Sequence, residues 1–189
     1  QLESITIPIR VTSIGNYAFF DCSQLESITI HGSVTSIAHC AFGNCFNLRL
    51  IEIPTSVISI GDRAFSDCSQ LRSITIPTSV RSIGDYAFSN CDLQSITIPS
   101  SVKSIGENSF HDCTHLQSIN VECDNIQFSS IDGILFSKNI ESLLCFPANH
   151  PLCSYTIPTT VTRISNSAFS CCYKLQSITI PTSVTSIGN

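Results

Sequence analysis

Charge is scarce in this sequence. Only 12% of its 189 residues are charged, with 9 Lys and Arg against 14 Asp and Glu for a net −5. No Lys/Arg cluster occurs, which excludes the basic footprint that a nucleic-acid binder needs. No stretch approaches 18 consecutive apolar residues, so no membrane-spanning helix is expected. The chain also lacks a Gly-x-Ser-x-Gly elbow, a phosphate loop and paired catalytic carboxylates. These gaps point away from an enzyme, and no cofactor is expected. Methionine is absent altogether, as is any Asn-x-Ser/Thr sequon.

What the chain has is repetition. Leucines at 2, 25, 48, 71, 93, 116, 152 and 175 open successive units spaced 23, 23, 23, 22, 23, 36 and 23 residues apart. Two copies read Leu71-Arg72-Ser73-Ile74-Thr75-Ile76-Pro77 and Leu175-Gln176-Ser177-Ile178-Thr179-Ile180-Pro181. Each leads into a second phrase, such as Ser79-Val80-Arg81-Ser82-Ile83-Gly84, and most units close on a third, as in Ala87-Phe88-Ser89-Asn90-Cys91. A fixed period of this length means stacked coils that bury their apolar faces against one another. The expected fold is therefore a β-rich solenoid of about eight coils, a single domain over 1–189. Its incomplete first and last units and missing polar caps suggest a piece of a longer array.

Ser-Ile-Thr-Ile alternates with period 2, the mark of a half-buried strand, so Ile28 and Ile30 point inward while Ser27 and Thr29 point out. Proline at 8, 54, 77, 99, 158 and 181 ends the segment, because it cannot donate to a ladder. Val-x-Ser-Ile reads as a second short strand. The recurrent Gly after it is expected to allow a bend. Ala-Phe-x-x-Cys is too short for a regular helix and reads as a 3₁₀ or single α turn. Stacking places equivalent residues about 5 Å apart. Phe19, Phe42, Phe65, Phe88, Phe110 and Phe169 are thus expected to form a buried spine. Asp or Asn before the cysteine (Asp21, Asn44, Asp67, Asn90, Asp112) is expected to cap tight turns.

Eleven cysteines suggest a disulfide framework until their positions are read. Cys22, Cys45, Cys68, Cys91, Cys113 and Cys172 recur with the repeat, which indicates one internal ladder of buried, reduced thiols. Among the others, Cys123, Cys145 and Cys153 around the irregular unit are where a disulfide would be sought. His111-Asp112-Cys113-Thr114-His115 is the nearest approach to a metal cluster, but Cys113 is a ladder position and the histidines replace variable residues. A solvated turn is the better reading, and no metal site is assigned.

One unit breaks the rule. Between Leu116 and Leu152, the run Asn125–Ile131 is followed by Asp132-Gly133, a strong hairpin signal, and then by Ile134-Leu135-Phe136-Ser137. Lys138-Asn139 starts a second turn into Ser142–Pro147. This predicts a β-meander insertion at 122–150, bulging from the solenoid.

The outer strand surface carries columns of small hydroxyls, interrupted in the third coil by Leu50 and Glu52. The candidate binding face comprises Ser27, Thr29, Arg49, Leu50, Glu52, Arg72, Ser73, Thr75, Ser95 and Thr97. The meander is the second candidate surface, since loops on a rigid scaffold often carry recognition. A plain soluble strand surface is the alternative reading of the same columns.

The unit Leu-x-Ser-Ile-Thr-Ile-Pro-x-Ser-Val-x-Ser-Ile-Gly-x-x-Ala-Phe-x-x-Cys closely resembles the BspA-like, Treponema-type leucine-rich repeats, over essentially the whole chain. His31 for Pro, Ala38 and Ser165 for Gly, and Cys171 for Asp/Asn depart from the pattern. The resemblance implies a leucine-rich-repeat solenoid with short parallel strands and 3₁₀ or single-turn segments. It also implies a non-enzymatic adhesion or interaction module, extracellular or on the cell surface, with matrix proteins such as fibronectin and fibrinogen as partners. It carries over no binding residues. The alternative is a structural spacer that self-associates through uncapped ends.

Overall fold

The computed structural model describes residues 2–189, and it is a solenoid of stacked coils with no helix among the described residues. Three rows of backbone run along it: a first strand row, a second strand row and a turn row. In the second row Ser13–Ile14, Ser36–Ile37, Ser59–Ile60, Ser82–Ile83 and Ser104–Ile105 form one parallel five-stranded sheet in strict register. The first row is divided into three sheets. Ser4–Ile7, Ser27–Ile30 and Leu50–Ile51 make one, Ser95–Ile98 and Ser118–Val121 another, and Ser154–Thr156 with Ser177–Thr179 the third. The period-2 reading holds, since Ile28 and Ile30 are buried and Thr29 is exposed. The fourth coil keeps this alternation but not the pairing. Residues 73–76 repeat the Ser-Ile-Thr-Ile phrase without joining a ladder, although Ile74 and Ile76 remain buried. The one-residue shortening before Leu93 falls in the connection that leaves this coil.

The turn row is not a 3₁₀ helix. In the second coil the amides of Cys40, Phe42 and Asn44 donate to the Asp62, Ala64 and Ser66 carbonyls of the next coil at 2.8–2.9 Å. The alternate amides of Ala41, Gly43 and Cys45 close local turns onto the Ala38, Cys40 and Phe42 carbonyls at 3.1–3.3 Å. Cys40 (φ 52°) and Asn44 (φ 61°) are left-handed, whereas a 3₁₀ segment keeps every φ negative and every bond internal. The left-handed residues turn alternate N–H groups toward the neighbouring coil, so the row is stitched across coils like a strand. Asp21, Asn44, Asp67, Asn90 and Asp112 thus occupy positions of φ 56–62°, which Asn and Asp tolerate. The side chains that cap amides are others: Asp62 Oδ1 accepts the Asp85 N–H and Asp85 Oδ1 the Glu107 N–H, at 2.9 and 2.8 Å.

Side-chain ladders lock the coils together. The Phe rings of 19, 42, 65, 88 and 110 stack with centroids 5.4–6.0 Å apart and planes within 8°. Phe169 lies outside this stack, tilted 33° against Phe146. Cys45, Cys68, Cys91 and Cys113 are buried free thiols, each donating to the carbonyl of a spine Phe one coil back at 3.0–3.3 Å. Ser33, Ser56, Ser79 and Ser101 do likewise to the preceding valine carbonyl at 2.5–2.7 Å. Each rung ties a side chain to a backbone carbonyl of the coil before it, so these hydroxyls and thiols are themselves partnered.

The irregular unit forms the expected meander of Phe128–Ile131, Ile134–Ser137 and Ser142–Cys145, with Asp132 and Gly133 at φ 53° and 80° as a two-residue hairpin turn demands. It does not bulge outward. Ile134, Leu135 and Phe136 are all fully buried, with Leu135 packed into the core of the preceding coils while Ile134 and Phe136 pack into the core of the following ones. Buried Asn125 opens the unit with all four bonds made: Nδ2 donates to the Pro99 and Val102 carbonyls, and Oδ1 accepts the Gln127 and Phe128 amides. Ser142–Cys145 then pairs in parallel with Arg163–Ile164 and so restarts the second strand row.

Candidate functional site

The ten residues of the candidate face lie along the first strand row, and all but half-buried Ser27 are exposed. The structure does not join them into one surface sheet. Ser27 pairs with Leu50 in the first sheet, Ser95 and Thr97 belong to the second, and Ser73 and Thr75 stand between the two without ladder partners. Where the row opens, Leu50, Glu52, Ser73 and Thr75 line a shallow cleft of about 390 Å³. The two features that interrupt the hydroxyl columns thus meet at one place. Arg72 is engaged beside it: its Nε donates to Asp92 Oδ2 at 3.0 Å, while His115 Nδ1 lies 2.6 Å from Asp92 Oδ1. One largely buried carboxylate therefore holds both side chains.

A second surface escaped the sequence reading. Along the turn row, Tyr17 stacks edge-on with Phe20 and His39, at 5.4 and 5.1 Å, and its hydroxyl meets His39 Nε2 at 3.0 Å. Two coils on, the Arg63 guanidinium sits 4.7 Å from the Tyr86 ring centroid. Tyr17, Phe20, His39 and Arg63 border a cleft of about 450 Å³. The signal was the variable pair after the glycine, where Tyr17, Cys40, Arg63 and Tyr86 occupy one column. Read one unit at a time these are unrelated residues, and only stacking makes them neighbours.

The His111–His115 segment does not converge on a centre. His111 Nδ1 contacts Asp112 Oδ2 at 3.2 Å, His115 turns to Asp92, and the Cys113 thiol points inward to the Phe88 carbonyl. Burial pushes the ladder thiols up, Cys45 and Cys113 both to about 12, which keeps them protonated and poor as ligands or nucleophiles. Cys123 and Cys153 are exposed free thiols and Cys145 is half-buried.

Comparison with known proteins agrees with this geometry. The family model described as the BspA-type leucine-rich repeat region matches in six copies over residues 1–117, 37–143 and 144–189. The chain belongs to the BspA-type leucine-rich repeat family. Among solved structures of similar fold is the pneumococcal vaccine antigen PcpA, with 30% identity and a TM-score of 0.88 over 96% of this chain and 51% of that one. A leucine-rich cell surface protein of Faecalibacterium prausnitzii is 33% identical, with a TM-score of 0.81 over 100% and 57% of the two chains. A leucine-rich repeat protein of Bacteroides ovatus is 32% identical, with a TM-score of 0.73 over 98% and 48%. This BspA-type chain thus spans about half the length of these relatives. No curated protein matches it. Among the described residues no helix is long and apolar enough to cross a membrane.

Proposed function

We propose that this BspA-type solenoid is a non-enzymatic adhesion and protein-interaction module, displayed at the cell surface or secreted, that binds macromolecular partners along its outer face. The cross-coil row of Tyr17, Phe20, His39, Arg63 and Tyr86 carries the reading. It concentrates aromatic and Arg side chains, which dominate binding hot spots, on a rigid backbone that needs little rearrangement. The Leu50–Thr75 cleft of the first strand row is the second contact region, with Arg49 and Arg72 beside it. A relative named as a cell surface protein supports display outside the cell. Matrix proteins of the fibronectin and fibrinogen kind are the partners to try first.

Biolayer interferometry of the chain against immobilised fibronectin, fibrinogen and the chain itself tests this. Saturable binding to a matrix protein is expected. Tyr17→Asn with Tyr86→Asn should weaken it by roughly 2 kcal/mol or more, the scale of a hot spot; Asn is chosen because both positions have positive φ. Arg49→Ala with Arg72→Ala should weaken it less. Self-association alone, or no binding, would overturn the adhesion reading in favour of a structural array element.

A further inference from the structure

The cleft on the turn row is shaped by one departure from the repeat. In the column that follows the spine Phe, the second, third and fourth coils carry Gly43, Ser66 and Ser89, whereas the first carries Phe20. A Cβ on Gly43 would stand 3.0 Å from Phe20 Cδ2 and 3.2 Å from its Cε2, so glycine gives the Phe20 ring room to lie across the second coil. Phe20 and Tyr17 remain 41% and 54% exposed and meet edge to face, which makes an aromatic wall open to solvent.

The opposite side of the cleft is polar. Arg63, Ser66 and Asp67 stand on the third coil, two spine steps of 5.4 Å from the first. The Arg63 guanidinium lies over the Tyr86 ring and forms no ion pair among the described residues, so its N–H edge is available. Each Asp67 oxygen accepts one bond, from Asn90 Nδ2 at 2.9 Å and from Ser66 Oγ at 2.6 Å, and keeps a lone pair to spare. Asn44 lines the middle of the cleft with an amide that no other group engages among the described residues. The Tyr17 hydroxyl shares one proton with His39 Nε2. Whichever tautomer the imidazole takes, the hydroxyl keeps either its hydrogen or a lone pair for a further partner.

These features select one ligand chemistry. Arg63 and Asp67 bring opposite charges, so a charged ligand gains from one and loses to the other. A neutral group that both donates and accepts uses the two together. The face of an aromatic ring is the negative pole of its quadrupole and attracts C–H bonds. A saturated ring with C–H bonds on one face and hydroxyls at its rim matches both sides of the cleft, and that is a sugar. The volume of about 450 Å³ lies within the roughly 300–1,000 Å³ of small-ligand sites. We propose that the cleft binds one hexopyranose of a glycan carried by the partner, with the C–H face of the sugar on Tyr17 and Phe20 and its hydroxyls on Asn44, Arg63 and Asp67. Galactose fits best, because its axial hydroxyl leaves one face as a continuous C–H surface. The proposal rests on the reading of this row as an adhesion surface and names what that surface takes from its partner.

Titration of the isotope-labelled chain with methyl β-D-galactopyranoside, followed by NMR, tests the assignment. The amides of Phe20, Gly43 and Asn44 should shift saturably, with a dissociation constant on the order of millimolar. Sorbitol, which carries the hydroxyls without the ring, should leave them in place. Phe20→Ser and Gly43→Ser install the residue that Ser66 and Ser89 supply in the neighbouring coils, so both should fold, as thermal melts check. The first removes the wall and the second displaces the ring, and each should weaken sugar binding about tenfold or more. Biolayer interferometry against fibronectin before and after enzymatic removal of its glycans separates this proposal from the adhesion reading. Binding lost with the glycans supports both. Binding that survives their removal, alongside the sugar shifts, overturns the partner glycan and leaves a free sugar as the ligand. Sugar shifts without any matrix binding overturn the adhesion partner and leave the sugar site standing. No saturable shift at tens of millimolar galactoside overturns the proposal, as do equal shifts with sorbitol or galactoside binding that Phe20→Ser leaves intact.

Discussion

At the scale of the residue, the glycine of the second phrase works by lacking a side chain. Gly61, Gly84 and Gly106 have no positive φ, so the bend expected of them is not their reason. A Cβ on Gly61 would stand 2.7 Å from the Ala38 carbonyl carbon, and one on Gly84 would collide with the Asp62 amide of the preceding coil. Glycine here lets one coil lie close enough on the last for the Asp62 and Asp85 carboxylates to receive amides from above. A methyl group on Gly15 would meet nothing within 4 Å. Gly84→Ala should therefore lower stability by about 1–3 kcal/mol, while Gly15→Ala should stay within about 0.5 kcal/mol; paired thermal melts measure both. A sequence shows that glycine recurs but not which backbone approaches it. Phe and Ile, by contrast, were legible at once, because apolar residues at a fixed period have only the core to occupy.

The thiol ladder is an element of its own, built from one residue per coil. Its rungs are neutral because burial disfavours the thiolate, with Cys45 and Cys113 pushed up to about 12 and Cys68 and Cys91 also raised. A thiol whose folded pKa exceeds its unfolded value holds its proton longer in the native state. Its stabilising contribution is thus complete below about pH 9, the usual thiol range, and is lost as pH rises toward about 12. Chemical denaturation from pH 7 to 11 should show stability falling only above about pH 9, and Cys68→Ala with Cys91→Ala should flatten that fall. At neutral pH a thiol reagent should modify Cys123 and Cys153 rapidly and the ladder cysteines only after denaturation. The ladder's membership was readable from spacing alone. The turn row that carries it was not, because its bonds are made to the next coil. A single-unit reading assigns a local helix to a segment whose partners lie 21 or 22 residues away.

For the whole molecule, stability in a solenoid is close to a sum of coil and interface terms. This chain has two apolar cores that meet at the meander, with Leu135 in the first and Phe136 in the second. Truncating Phe136 to Ala should cost about 3–5 kcal/mol, as removal of a buried aromatic does. The loss should be local. Hydrogen exchange should accelerate in the coils from Ser154 onward, while the ladder from Ser13 to Ile105 keeps most of its protection. Phe65→Ala should give the reverse pattern. Uniform acceleration in both variants would mean that the two cores unfold as one unit. The meander was recognisable in sequence by Asp132-Gly133, yet its burial was not, since Ile-Leu-Phe fits a strand covered on one side as readily as one covered on both.

By itself the sequence determined the coil, its period, its inward residues and its family, because each follows from short-range pattern repeated until chance is excluded. Tertiary structure alone decided what happens between coils. It fixed which amides cross from one coil to the next and which glycines are pressed against backbone. It also placed Tyr17, His39, Arg63 and Tyr86 on one surface. Those outcomes depend on contacts between residues one or more periods apart, and a pattern read along the chain gives their separation without giving their approach.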